Sequence, residues 1–304
     1  MVTVLVSGGN GLIGQHLCQR LMEKGYNVGV LSRTKNKSDA KISNYYWDID
    51  KQEIEKEAIE TADYIIHLAG ENIGEKRWTS KRKKKILESR HASAKLIIEK
   101  VNESNHKPKA FISASAIGYY GAITSDHIFI ETDSPAQDFL GETCRKWEEI
   151  ADEFKELGIR TVKLRTGVVL SKHGGALAKM MSPIRMGIGS TLGTGRQYMP
   201  WIHIEDLCNI YIKAIEDEKM QGAYNAVAPE HKTNLEFTKS LAQTLDKPFW
   251  FPAIPSFVLK IIFGKMSVMM LKGSRVSSGK ITNAGFNFRF PDLKSALKDL
   301  VRNA

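Results

Sequence analysis

Residues 1–14 read MVTVLVSGGNGLIG, and the reading of this stretch decides the fold. VTVLVS (2–7) is a short run rich in β-branched residues and predicts a strand. SGGNGLIG (7–14) then sets Gly8, Gly11 and Gly14 at three-residue intervals. Apolar Leu12, Ile13, Leu17, Leu21 and Met22 follow at helical spacing, with Gly25 as the stop. A tight turn needs the first glycine, close approach of backbone to a pyrophosphate the second, and packing of helix on strand the third. The helix start then offers free N–H groups and a partial positive charge to phosphates. Gly8, Asn10, Gly11, Leu12, Ile13 and Gly14 are therefore the candidate dinucleotide cradle; the bland alternative is a mere turn.

Working outward, the same rhythm repeats. NVGVLSR (27–33) predicts a second strand, ISNYYWDID (42–50) contains a third, and DYIIHLAG (63–70) is a fourth, nearly continuous in apolar residues, as expected of a strand buried on both faces. A long helix is expected from about 80 to 104, a fifth strand at KAFISAS (109–115), a helix over 138–158 ending at Gly158, and a sixth strand at IRTVKLRTGVVL (159–170). A helix near 205–217 and a late strand, AYNAV (223–227), follow. Alternating strands and helices imply an α/β fold, a Rossmann-type doubly wound parallel sheet. Residues 1–170, with 200–228 returning, are assigned to the dinucleotide-binding domain. Residues 171–199 and 229–304, rich in glycine and proline and then helical, form a smaller, mostly helical C-terminal substrate lobe. Within it FVLKIIFGKMSVMML (257–271) is expected to be a core-facing helix, with a membrane-surface helix as the alternative.

The end of the second strand selects the dinucleotide. An acidic side chain there would take the ribose diol of NAD. This strand ends in Leu31-Ser32-Arg33 instead. A guanidinium can fork onto a phosphate and Ser32 can add a hydrogen bond, so the expected cofactor is NADP(H). The alternative is a solvated Arg33 and a pocket without preference.

The bulk properties bound the rest. With 304 residues, 42% hydrophobic and 26% charged, the chain is of globular composition. The cysteines, Cys18, Cys144 and Cys208, are far apart and show no disulfide or metal spacing, so no metal is expected and a cytoplasmic location is. The N-terminus is expected to be a strand and not a signal peptide, and no membrane span is expected. The net charge is +10, and much of the excess lies in EKRWTSKRKKK (75–85). A nucleic-acid site is one reading, but no stacking pattern accompanies the charge; a solvated helix face or a field attracting an anionic ligand is preferred.

ISASAIGYYG (112–121) supplies the candidate chemistry, because the hydroxyls of Ser115 and of Tyr119 or Tyr120 could polarise a carbonyl. Their bland readings are a strand-end hydroxyl and an aromatic pocket wall. Leu68, Ala69, Gly70 and Glu71 after the fourth strand, with Ser113 and Arg165, are expected to line the cofactor. Arg165, Arg185 and Arg196 are candidates for an acidic substrate, with Met180, Met181, Met186 and Trp201 making the pocket partly apolar. Cys144 reads as a small buried hydrophobe, and Asp206, near His203, as a cap for nearby N–H groups.

Taken together, SGGNGLIG, HLAG (67–70), ISAS (112–115) and GTGRQYMPWIHIEDL (193–207) resemble the extended short-chain dehydrogenase/reductase superfamily, also called the NAD-dependent epimerase/dehydratase family. LAGENI (68–73), RW (77–78), ESR (88–90), SASAIGYYG (113–121), LRTGVVL (164–170) and GFNFRF (285–290) are similar to an atypical, YfcH-like epimerase subgroup with a C-terminal module of the DUF1731 type. The resemblance implies a nicotinamide cofactor, a small-molecule carbonyl or hydroxyl substrate and, by analogy, a homodimer. It also implies a tyrosine and, four residues later, a lysine on the helix after the catalytic serine. Here FLGETCRKWEE (139–149) puts Leu140 and Cys144 at those positions, and no tyrosine occurs from residue 121 to 159. The expected function is thus an oxidoreductase or epimerase-like enzyme without the usual dyad, or an NADP(H)-sensing binding protein that has lost it.

Overall fold

The computed structural model describes residues 1–34 and 42–302. In chain order its strands are β1 (Thr3–Ser7), β2 (Asn27–Ser32), β3 (Ile42–Asp48), β4 (Glu53–Ile54), β5 (Tyr64–His67), β6 (Ala110–Ala116), β7 (Ile128–Phe129), β8 (Arg160–Thr166), β9 (Val168–Ser171), β10 (Trp201–His203), β11 (Gly222–Ala226) and β12 (Arg275–Val276). Eight of them form one sheet in the order β11-β8-β6-β5-β1-β2-β3-β4. Every pair is parallel except β3–β4. The chain winds outward in both directions from β1, which therefore lies at the switch point where a ligand of such a sheet binds.

The period of two along each strand sorts the core into two faces. Val4, Val6, Val28, Val30, Ile66 and Ile112 pack with Leu17 and Leu21 of the helix Leu12–Glu23 and with Leu207 and Tyr211 of the helix Ile204–Glu216. Leu5, Leu31, Ile65 and Phe111 face the other way, onto Leu96, Ile97 and Val101 of the helix Ser80–Glu103 and onto Phe154. Phe111 and Phe154 stack with centroids 3.7 Å apart. Burying each such large side chain stabilises the fold by about 1.5–3 kcal/mol.

The expected sixth strand is broken at Gly167. Residues 160–166 continue the main sheet, while β9 leaves it and pairs with β10. A Cβ on Gly167 would lie 2.7 Å from the Pro200 carbonyl oxygen, so this crossing needs a glycine. The β9–β10 ribbon opens a third core, in which Leu170, Leu177, Met181, Trp201, Phe237 and Leu297 meet. Met181 and Trp201, expected to line a pocket, belong to this core, and Met186 is exposed. The C-terminal residues are tied back at several places, two of them through backbone groups. β12 pairs with β7, and the buried Asp206 carboxylate accepts from the amides of Arg289 and Phe290, at 2.9 and 3.0 Å. Asp206 is indeed a cap, but for a segment more than eighty residues on.

A further expectation is corrected. Residues 257–271 do not form a core-facing helix. The helix Ser256–Phe263 buries only Leu259 and leaves Phe257, Ile261 and Ile262 mostly exposed; a 3₁₀ turn and a short helix, Val268–Leu271, follow. Its high mean hydropathy hid the fact that its apolar residues surround it instead of forming one stripe. Among the described residues no helix is long and apolar enough to cross a membrane.

Candidate functional site

The glycine turn sits at the carboxyl end of β1. Gly8 has φ +75°, and a Cβ there would stand 2.9 Å from the Ala69 amide nitrogen, so the turn nests against the loop after β5. A Cβ on Gly14 would lie 2.3 Å from the Gly8 carbonyl oxygen, which fixes the helix start beneath the turn. Gly11 is different: it is exposed, and its Cβ would meet only that carbonyl, at 3.3 Å. Gly11 is the N-cap and has no side chain to cap the helix, no acidic residue lies in the first turn, and the first intrahelical bond runs from Gln15 N to Gly11 O. The amides of the first turn are thus left for an external acceptor, which fits a pyrophosphate.

Below the turn, Ser7 and Ser93 clamp the buried His67 at Nδ1 and Nε2, at 2.7 and 3.1 Å. Burial pushes the His67 pKa down to about 3, so the ring is neutral and structural. At the end of β2, Ser32 is buried and its Oγ accepts from the Thr34 amide at 3.3 Å, while Arg33 is exposed. Leu68 and Ala69 lie against Gly8, and Gly70 against Arg90. Glu71 is turned toward the basic run: Arg82 and Lys85 reach its carboxylate at 2.6 and 2.9 Å. Hydrogen bonds from Lys85 first, and from Arg82, hold its pKa below the usual range. Much of the 75–85 charge is thereby spent on structure, because Arg82 also binds the Asn72 carbonyl and Arg77 the Ile262 carbonyl.

The serine–tyrosine edge is a buried network. Ser115 Oγ donates to Glu148 Oε1 at 2.7 Å. Arg165 forks onto the same carboxylate, Nε to Oε1 at 2.8 Å and Nη2 to Oε2 at 2.9 Å. Its Nη1 donates to the Tyr120 hydroxyl at 3.0 Å and to the Glu131 carbonyl at 3.1 Å. Tyr120 in turn donates to Asn225 Oδ1 at 2.7 Å. Burial pushes the Tyr120 phenol up to about 12. Tyr119 is only half-buried, and the Arg165 guanidinium lies 3.4 Å from its ring centroid. Burial still raises the Tyr119 pKa, outweighing that cation, so its hydroxyl keeps its proton at neutral pH. Ser113 Oγ donates to the neighbouring Ala114 carbonyl at 2.9 Å. Arg185 and Arg196 are exposed.

Two residues that the sequence did not single out complete the site. Glu148 anchors the network. Arg90 lies against Gly70, where a Cβ would be 3.2 Å from its Cζ, and over the Trp147 ring at 4.6 Å. Its Nη1 donates to the Glu71 and Ile86 carbonyls, but its Nε is shut off from solvent without a partner among the described residues. Cys144 lies within its electrostatic reach and is buried, with burial pushing the thiol up to about 12, which suits the hydrophobe reading. A signal for Arg90 existed in ESR (88–90), but helical periodicity alone does not tell an inward arginine from a solvated one.

Comparison with known proteins agrees with this geometry. The model of the NAD dependent epimerase/dehydratase family matches residues 4–226, and a domain of unknown function, DUF1731, matches residues 254–300. The chain is 34% identical to the epimerase family protein YfhF of Bacillus subtilis over 300 residues, covering 99% of this chain and 98% of that protein. It is 36% identical to the epimerase family protein SDR39U1 of Mus musculus over 304 residues, covering 98% and 99%. The human SDR39U1 structure, obtained with NADPH, superposes with a TM-score of 0.87 at 32% identity over all of both chains. The UDP-glucuronic acid 4-epimerase of Bacillus cereus, solved with NAD, has the same fold, with a TM-score of 0.80 at 18% identity over 99% of each chain. With its glycine turn at the switch point and its matching relatives along the whole length, the chain belongs to the NAD dependent epimerase/dehydratase family.

Proposed function

We propose that this protein is an NADP(H)-dependent oxidoreductase or epimerase-like enzyme acting on a small carbonyl or hydroxyl compound. One observation carries the reading: a glycine turn with open amides at the sheet's switch point, next to a β2 end that offers Ser32 and Arg33 and no carboxylate. The human relative obtained with NADPH supports the phosphorylated dinucleotide. When bound, the nicotinamide supplies or accepts hydride. The residues of the chain do the rest. The first-turn amides bind the pyrophosphate, and Arg33 grips the extra phosphate. Tyr119, protonated at neutral pH, donates a hydrogen bond to the reacting oxygen, and Ser115, held by Glu148, orients it. Arg90 provides the cation that a lysine at position 144 would otherwise supply. Residues 171–199 and 229–302 cover the substrate.

A second reading, a cofactor-sensing protein with little turnover, is favoured by the engagement of the Ser115 hydroxyl with Glu148 and by Leu140 and Cys144 at the dyad positions. Titration calorimetry with NADPH and NADH tests the cofactor, and a preference for NADH refutes the Arg33 assignment. NADPH oxidation over a carbonyl library, with Ser115→Ala and Tyr119→Phe, tests the chemistry. Tight NADPH binding without turnover on any carbonyl selects the sensing reading.

A further inference from the structure

A cleft of about 630 Å³ opens between the helix Phe139–Asp152 and the exposed helix Ser256–Phe263. It reaches Leu140, where the superfamily places its tyrosine, and Leu140 lies under Gly118, directly before Tyr119. Its walls are Trp78, Phe139, Leu140 and Val268, and the two aromatic rings meet edge to face at 4.9 Å.

The polar groups of the cleft divide into two kinds. Those that read hydroxyls are already committed. Trp78 Nε1 donates to the Ile73 carbonyl at 2.9 Å. The Asp138 oxygens accept from the amides of Gly141 and Ala122, at 2.9 and 2.7 Å. Ser267 Oγ donates to the Gly264 carbonyl at 2.7 Å. The remaining charge is cationic in balance: Lys83, Lys260 and Lys265 line the cleft against the single carboxylate of Asp138, with which none of them is ion-paired among the described residues. The Lys83 ammonium lies 4.5 Å from the Phe139 ring centroid. A sugar would find few groups to bond its hydroxyls here, whereas an apolar body with an anionic head would satisfy both halves of the lining. The helix beside the lining is also apolar on its exposed side. Phe257 and Ile261, 62% and 69% exposed, stand on the helix that carries Lys260, and Arg77 holds that helix by the Ile261 and Ile262 carbonyls.

We propose that this cleft binds an amphiphilic anion, an aliphatic or aryl body ending in a carboxylate or phosphate, and that this is the substrate class of the enzyme, an inference that rests on the function proposed above. The test is displacement of anilinonaphthalene sulfonate from the full-length protein by decanoate, decyl phosphate, decanol and UDP-glucose, with NADPH binding measured on the same samples. Decanoate or decyl phosphate displaces the dye, and which of the two is stronger identifies the head. Shortening the chain weakens binding about fourfold per methylene. Added salt weakens it, and the double variant Lys260→Gln/Lys265→Gln, whose residues are exposed and fold-neutral, binds about fivefold more weakly. Decanol competing as well as decanoate, UDP-glucose competing while decanoate does not, or unchanged binding by the double variant overturns the proposal. NADPH binding without decanoate binding removes the cleft assignment alone. Decanoate binding without NADPH binding removes the cofactor reading and leaves the cleft as an anion site.

Discussion

Replacing Glu148 by glutamine tests the centre of the site most directly. Arg165 and Ser115 are each 3% exposed, and Glu148 is the carboxylate that both of them address. Burial by itself lowers the Arg165 pKa, but the hydrogen bonds and charge of Glu148 raise it above the ordinary arginine range. An arginine keeps its proton near neutral pH even without such a partner, so in Glu148→Gln Arg165 stays charged and loses its fork in a place water does not reach. Leaving a buried charge unpaired in this way costs about 3–5 kcal/mol. At roughly 2 °C per kcal/mol for a chain of this size, the melting temperature falls by about 6–10 °C. Glu149→Gln is the control: Glu149 pairs with Arg145 on the same helix, but the two side chains are 57% and 42% exposed, so its loss costs about 1 kcal/mol at most. Replacing the pair together, as Glu148→Leu with Arg165→Met, removes the stranded charge and recovers most of the loss. Thermal melts and urea midpoints of the parent, these three variants and the singles Glu148→Leu and Arg165→Met are the assay. Glu148→Gln melting within about 1 kcal/mol of the parent, or the double variant falling as far as the sum of its singles, refutes the claim that this pair holds helix to sheet.

The glycines separate folding from binding. Gly14→Ala drives a Cβ into the Gly8 carbonyl and lowers stability by about 3 kcal/mol, whereas Gly11→Ala, at φ −79°, folds nearly normally but binds NADPH more weakly in calorimetry. Arg33→Glu weakens NADPH by roughly ten- to hundredfold, the loss of a charge-assisted hydrogen bond or two, and leaves NADH unchanged or tighter. His67 is neutral when folded, with a pKa of about 3, and ordinary when unfolded, so the unfolded chain gains the proton first as pH falls. Stability contributed there is present above about 6.5 and is lost toward pH 3, at about 1.4 kcal/mol per pH unit, and His67→Gln flattens that limb of an acid titration followed by melting temperature. Cys144→Lys sets a second buried cation beside Arg90 and costs about 3 kcal/mol or more, while the same change in an Arg90→Met background costs less; equal losses in both backgrounds refute the placement of Arg90 at the missing lysine.

Much of this was legible in the sequence, for identifiable reasons. The strand–glycine–helix opening reads correctly because Gly8 and Gly14 answer to backbone contacts that a side chain would violate, while Gly11 leaves the helix start open, all within eight residues. The strands of the sheet read correctly because burial on both faces leaves continuous apolar runs, as in Tyr64–His67. The break at Gly167 did not, since β-branched residues continue on both sides of it and only the distant Pro200 requires it. Nor did the outward turn of Phe257, Ile261 and Ile262, because composition marks a residue as apolar without saying whether anything covers it. Arg90 and Glu148 were missed for the converse reason, that a charged residue on a helix is presumed to face water.

On the function proposed above, with Leu140 and Cys144 at the dyad positions, the position of Glu148 shows where this helix carries its charge instead. Leu140, Cys144, Glu148 and Asp152 recur every four residues along one helix and so form one slanting stripe, the stripe on which the tyrosine and lysine would stand. On the facing strand β8, Lys163 and Arg165 are two residues apart. Two strand residues span about 6.6 Å and four helical residues about 6 Å, so the two carboxylates and the two cations fall opposite each other. The stripe has kept its charge but moved it two turns, about 12 Å, away from Leu140. Charge so placed clamps helix to sheet and cannot also deliver a proton at the cofactor edge. On that same proposal the reaction draws its cation from Arg90, on the neighbouring helix, and its hydroxyl from Tyr119, on the loop before the stripe. The apolar start of the stripe, released from acid–base work, becomes the wall of the lysine-rimmed cleft.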